Sequence, residues 1–134
     1  MILVDTSVWI DYFNGTSGRH TDALDHHLSR SRIIMGDLIL TEVLQGFRAD
    51  SDFRKAKQFL DELEFRQIGG YAVALESARI YRQLRKSGVT VRKTIDVFIA
   101  AFCIMEELKL LHHDRDFDPI AERFPLEIVG KPPR

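Results

Sequence analysis

Met1-Ile2-Leu3-Val4-Asp5-Thr6-Ser7 is the stretch on which the reading of this chain turns. Four apolar residues run directly into a carboxylate, and two hydroxyl residues follow where a helix would begin. A buried strand that stops at a charged residue presents that residue at the sheet edge where open α/β sheets bind ligands. Residues 2–5 therefore read as a strand, and Ser7 to Phe13 as a short helix stopped by Asn14-Gly15. If further carboxylates arrive at the same edge, the chain carries a metal site.

The rest of the chain alternates strand and helix signals. Thr21 to Leu28 reads as a mostly solvated helix, and Ile33-Ile34-Met35 as a buried strand closed by Gly36-Asp37. Thr41 is placed to cap a helix whose first turn holds Glu42, and Ser51 to cap the next. In that next helix Phe53, Ala56, Phe59, Leu60 and Leu63 fall on one face. Phe65 to Ile68 forms a third strand. Tyr71 to Lys86 is a long helix with Tyr71, Ala74, Leu75, Ala78, Tyr81 and Leu84 inward, ended by Gly88. Thr94 then caps an apolar, central helix from Ile95 to Leu108. Lys109 to His112 is a strand, a short helix lies near Pro119 to Arg123, and Leu126 to Val129 is an edge strand before a Pro-rich tail. The pattern gives a three-layer α/β/α fold with a mainly parallel sheet of four or five strands.

Length and composition agree. A chain of 134 residues suits one domain spanning 1–134, with 45% hydrophobic and 29% charged residues. The longest apolar run, Val97 to Met105, is nine residues, well short of the ~20 needed to cross a bilayer. No secretory leader pattern is present, and the single Cys103 sits inside that apolar run as a small core residue. These features fit a soluble protein of the reducing cytoplasm. A net charge of −1 counts against a simple electrostatic nucleic-acid binder, but not against an enzyme with a local basic surface.

Four carboxylates fall at element boundaries that a parallel sheet brings to one edge: Asp5, Glu42, Asp96 and Asp114. Crowded acids repel unless a cation neutralises them. Oxygen-only ligation suits Mg²⁺ or Mn²⁺, and such an ion polarises a phosphoryl oxygen and makes water a nucleophile near neutral pH. Singly, an acid in a first helical turn often only offsets the macrodipole, and Asp114 and Asp116 fit a turn. Together the four outweigh those readings.

Four blocks in order carry a resemblance: Leu3-Val4-Asp5-Thr6-Ser7, Thr41-Glu42-Val43, Thr94 through Ala101, and Leu111 through Phe117. In these the chain resembles the PIN-domain ribonucleases, specifically the VapC toxins of prokaryotic toxin–antitoxin operons. The resemblance implies a Mg²⁺-dependent endoribonuclease, with Mn²⁺ as substitute, acting as the toxin of a type II pair. It implies Asp5, Glu42, Asp96 and Asp114 as the acidic site, with Asp5, Asp96, Asp114 and Asp116 toward the metal. Thr6 and Ser7 would orient Asp5 or a nearby water. A homodimer and an inhibiting antitoxin are implied as well.

Six basic residues and no acid lie between Arg79 and Lys93, and this run leads to Asp96. Arg92 and Lys93 are the candidates to hold RNA phosphates, which position a backbone without reading sequence. The pairs His26-His27 and His112-His113 offer no zinc spacing. Trp9 reads as core or interface. Ser7, where a dehalogenase-type phosphotransferase carries a second aspartate, argues against that class. Val4 before Asp5 argues against a phosphoreceiver domain. The remaining alternatives are an RNA-processing nuclease outside a toxin–antitoxin pair, and an inactive RNA- or partner-binding module.

Overall fold

The structure, a computed structural model, describes residues 1–131. Its sheet has four strands in the order β3-β2-β1-β4, where β1 is Ile2–Val4, β2 Ile33–Gly36, β3 Glu64–Arg66 and β4 Lys109–Leu111. Every pairing is parallel, with Leu3 opposite Ile34 and Leu110. Consecutive residues of β1 and β2 are all buried, which requires cover on both faces. Helices supply it, giving the expected three-layer arrangement. The expected fifth strand at Leu126–Val129 shrinks to one parallel bridge, Leu110 to Ile128. Leu110 alone makes the pairing, donating to the Glu127 carbonyl at 2.8 Å and accepting from Val129 N–H at 2.9 Å, before Gly130 at φ 82° turns the chain.

The helices are α1 Thr6–Phe13, α2 Arg19–Leu28, α3 Asp37–Gln45, α4 Asp50–Leu60, α5 Tyr71–Lys86, α6 Thr94–Glu106 and α7 Asp118–Arg123, with a 3₁₀ turn at Arg115–Phe117. Helices α1 and α2 start one and two residues before the expected Ser7 and Thr21, and three residues expected to cap helices lie inside them instead. Helix α3 begins at Asp37, so Glu42 lies in its second turn, and Thr41 donates back to the Asp37 carbonyl at 3.0 Å instead of capping. Ser51 lies inside α4, whose cap position is Ala49. Thr94 is likewise inside α6, one residue after the cap position Lys93.

Helix α5 also turns a different face inward. Ser77, Ile80 and Leu84 are buried, whereas Tyr71 is 81% and Leu75 55% exposed. Leu84 belongs to both stripes, and Tyr81 still packs half-buried against the core, so the inward face is rotated rather than reversed. The helix closes through Gly88 at φ 81°, with Val89 N–H donating to the Leu84 carbonyl at 2.9 Å. In α4, Ala56 and Leu60 are buried but Phe53 and Phe59 stay more than a third exposed.

Helix α6 is enclosed: Val97, Ile99, Ala100, Ala101, Phe102 and Cys103 are all buried, and burial pushes the Cys103 thiol pKa up. Trp9 is fully buried, stacked on Phe13 at 5.9 Å and edge-on to Phe59 at 6.1 Å. Its indole N–H has no hydrogen-bond partner among the described residues. Gly36 ends β2 where Ile68 packs hard against it; a Cβ there would lie 2.1 Å from Ile68 Cδ1. Asp37 then ties the two segments together, accepting from Ile68 N–H at 2.7 Å and Leu38 N–H at 3.0 Å. The C-terminal ends of the strands are thereby gathered at one edge.

Candidate metal centre

At that edge β1 delivers Asp5 as the cap of α1. Its Oδ2 accepts from Ser7 N–H at 3.1 Å and from Ser7 Oγ at 2.6 Å, and its own N–H donates to the Leu111 carbonyl at 2.9 Å. Asp5 is therefore locked between its own helix and β4. Thr6 does not serve Asp5; its Oγ1 donates to Glu42 Oε1 at 2.8 Å, joining α1 to α3. From the other side, α6 presents Asp96 in its first turn, and the loop after β4 presents Asp114 and Asp116. Asp114 Oδ1 accepts from Asp116 N–H at 2.9 Å, which fixes the spacing of these two acids.

Asp96, Asp114 and Asp116 come together: one carboxylate oxygen from each lies within 4.8 Å of the other two. Asp5 and Glu42 stand outside that triple, although the Asp5 charge still acts on Asp96. Asp5 and Asp96 are each only 4% exposed. Burial, reinforced by Asp5, Asp114 and Asp116 against the opposing pull of Lys93, pushes the Asp96 carboxyl up to about 7. Burial also acts to raise Asp114, but the Asp116 N–H and the Lys93 ammonium outweigh it and hold that carboxyl below its usual range.

The two candidate phosphate contacts face these acids. Lys93 Nζ lies 3.0 Å from Asp114 Oδ2 and 3.7 Å from Asp96 Oδ2. Arg92 reaches Asp116 Oδ1 at 3.5 Å, a loose ion pair on a side chain that is 83% exposed. Even so, Asp96 Oδ2 and Asp116 Oδ2 are buried with no hydrogen-bond partner among the described residues. Buried carboxylate oxygens without a hydrogen bond are costly, and a hard cation would satisfy both along with Asp114. The residues therefore fit a divalent metal: an all-oxygen donor set drawn together from three aspartates, two of which carry a buried oxygen without a hydrogen bond.

Sequence reading did not find a second cluster beside this one. His20 Nε2 lies 2.7 Å from Asp11 Oδ2, and the His20 ring stacks on His113 at 3.8 Å. Nine residues separate Asp11 from His20, and His113 arrives from after β4, so no local pattern marks the group. His112 is separate: burial holds its pKa low, and Nδ1 accepts from Asp114 N–H at 3.2 Å. His26 and His27 pack edge to face in the last turn of α2.

A parallel α/β domain with aspartates converging on a cation site at its strand ends is the class that the geometry defines. The chain belongs to the PIN-domain family, whose sequence model matches residues 2–123. It is 34% identical to ribonuclease VapC11 of Mycobacterium tuberculosis, over 90% of this chain and 92% of that protein. In structure it resembles VapBC2 of Rickettsia felis, solved bound to a promoter DNA fragment, with a TM-score of 0.76 at 18% identity, covering 96% of this chain and 97% of that one. FitAcB of Neisseria gonorrhoeae is similar, with a TM-score of 0.75 at 16% identity and 97% of both chains covered.

Proposed function

We propose that this chain, as one PIN domain, is a metal-dependent endoribonuclease and the toxin of a type II toxin–antitoxin pair. The observation that carries the reading is the convergence of Asp96, Asp114 and Asp116, two of them with unpartnered buried oxygens, at the sheet edge that also holds Asp5. The 34% identity to a VapC ribonuclease over nearly the whole chain supports RNA as substrate. Mg²⁺ is the proposed ion, with Mn²⁺ as substitute, because the donors are all oxygen. When bound, such an ion polarises a phosphoryl oxygen and activates water.

The protein's own groups supply the geometry. Asp96, Asp114 and Asp116 would hold the cation, with Asp5 beside them at the same sheet edge. Ser7 fixes the Asp5 carboxylate, and Thr6 fixes Glu42, which completes the acidic set. Arg92 and Lys93, which pair with these acids, would hold backbone phosphates beside them. No helix among the described residues is long and apolar enough to cross a membrane, and the proposed setting is the cytoplasm. The VapBC neighbours support an antitoxin as partner. The exposed Tyr71 and Leu75 of α5 support self-association as a homodimer, since exposed apolar patches commonly mark contact surfaces.

The test is direct. Purified, antitoxin-free protein should cleave RNA, EDTA should abolish cleavage, and Asp96→Asn should do the same with an unchanged circular dichroism spectrum. Cleavage persisting in that variant would remove the acidic centre from the mechanism.

A further inference from the structure

His20 and His113 lie outside the acidic triple but line one cavity with two of its members, Asp114 and Asp116. Their rings stack with centroids 3.8 Å apart and planes 4° from parallel. His20 is held firmly: Nε2 is 2.7 Å from Asp11 Oδ2, the side chain is 10% exposed, and a Cβ on Gly18 would meet the ring at 2.8 Å. Gly18 is thus the space this ring needs. His113 is exposed, and its N–H donates at 3.1 Å to Ser7 Oγ, the same hydroxyl that donates to Asp5. Two hydrogen bonds therefore register the stack to the acidic centre.

We propose that the His20–His113 stack is a platform for one unpaired nucleobase of single-stranded RNA beside the phosphate to be cleaved. This rests on the endoribonuclease reading above. The histidine pair and the acids Asp114 and Asp116 line one cavity of about 1190 Å³, with Arg19, Arg92, Arg115 and Lys131 on its walls. An aromatic surface beside basic groups is the combination that binds single strands, because every base offers a π-face and every linkage a phosphate. A ring supported on one face and tied through its backbone is already placed for stacking, so little ordering remains on binding.

The competing occupant is a transition metal, because Asp11, His20 and His113 offer one oxygen and two nitrogens within 4.8 Å of one another. Imidazole binds metal through lone pairs in the ring plane. Two rings lying parallel in a stack do not aim those lone pairs at one ion, so a metal would have to break the stack. The observed geometry favours the base.

The experiment uses the full chain carrying Asp96→Asn, which leaves RNA intact, and short single-stranded RNAs labelled with a fluorescent purine analogue. Stacking quenches the analogue on binding. His113→Ala should weaken binding about 5- to 100-fold and relieve the quenching, whereas His113→Phe should restore both to within about threefold. In the otherwise wild-type enzyme, His113→Ala should raise KM and leave kcat within about threefold. Equal behaviour of the Ala and Phe variants, or RNA binding indifferent to His113, overturns the platform while cleavage by the wild type stands. A tight Zn²⁺ site seen by calorimetry, lost in both His20→Ala and His113→Phe, also overturns it in favour of a metal. Wild-type protein that neither binds nor cleaves RNA overturns the platform and the nuclease reading together. Binding through His113 without cleavage would overturn only the catalytic reading.

Discussion

The ammonium of Lys93 lies 3.0 Å from the Asp114 carboxylate, on ground that a divalent cation would also claim. The two charges compete for the same oxygens, and the Asp114 hydrogen bond already raises the Lys93 pKa. Lys93→Met should therefore tighten Mg²⁺ or Mn²⁺ binding by the RNA-free protein about 3- to 10-fold, a modest gain because Lys93 is half exposed and screened. Cleavage should fall in the same variant as a phosphate contact is lost. Calorimetric titration with metal, set beside the cleavage rate, separates the two effects. Weaker metal binding by Lys93→Met would contradict the competition.

Asp96 gives the metal-free protein a pH-dependent stability. Its folded carboxyl titrates near 7 against an ordinary 3.8, so the folded chain holds that proton more tightly than the unfolded one. The resulting stabilisation is complete below the unfolded value and is lost as pH rises through the folded one, an effect on the order of 2–4 kcal/mol. Without metal, the protein should melt several degrees lower at about pH 8 than at about pH 5.5. Asp96→Asn should flatten that slope, and saturating Mg²⁺ should oppose it by binding the ionised form. Thermal melts across pH, with and without metal, decide the matter.

Thr6 holds Glu42 through a single 2.8 Å hydrogen bond between two helices. Thr6→Val keeps the shape and removes the donor, leaving the Glu42 carboxylate unanchored. Loss of a group that orients an acidic residue at a metal site typically costs about 10- to 100-fold. The cleavage rate should fall in that range while the melting temperature shifts little. An unaffected rate would leave Glu42 outside the chemistry.

Leu75 is 55% exposed on the outer stripe of α5, next to Tyr71. Leu75→Arg should leave the fold intact but weaken self-association at least about tenfold, because a desolvated charge at an apolar contact is expensive. Light scattering coupled to size exclusion reads the change in mass directly. A variant that keeps the wild-type mass would move the contact to another face.

How far the sequence could be read depended on how local each constraint was. Strand β1 and Asp5 were plain because an apolar run ends on a carboxylate within five residues. The buried α6 was equally plain, since its apolar residues leave no other environment for it. Helix α3 was misplaced because Leu38-Ile39-Leu40 resembles the end of a strand, and the bonds that start the helix at Asp37 reach to Ile68, thirty-one residues away. The inward face of α5 was ambiguous because two apolar stripes exist on one helix, and Ser77 disguised the true one. Arg92 and Lys93 were legible as charges near Asp96, but their contacts with Asp114 and Asp116 depend on how the loop after β4 folds back. The His20–His113 stack joins the start of α2 to that same loop, and no spacing rule could have announced it.

Trp9 is the only tryptophan in the sequence, and it lies four residues from Asp5, at the heart of an aromatic cluster, with its indole N–H unpartnered among the described residues. The molecule therefore carries a built-in optical gauge. Emission from a dry, stacked indole is blue-shifted, and its shift to the red would follow the loosening of α1 with no other tryptophan signal to subtract. Because α1 also carries Ser7, which the Asp5 carboxylate and the His113 backbone share, that one fluorophore would register whether metal or RNA disturbs the helix on which both depend.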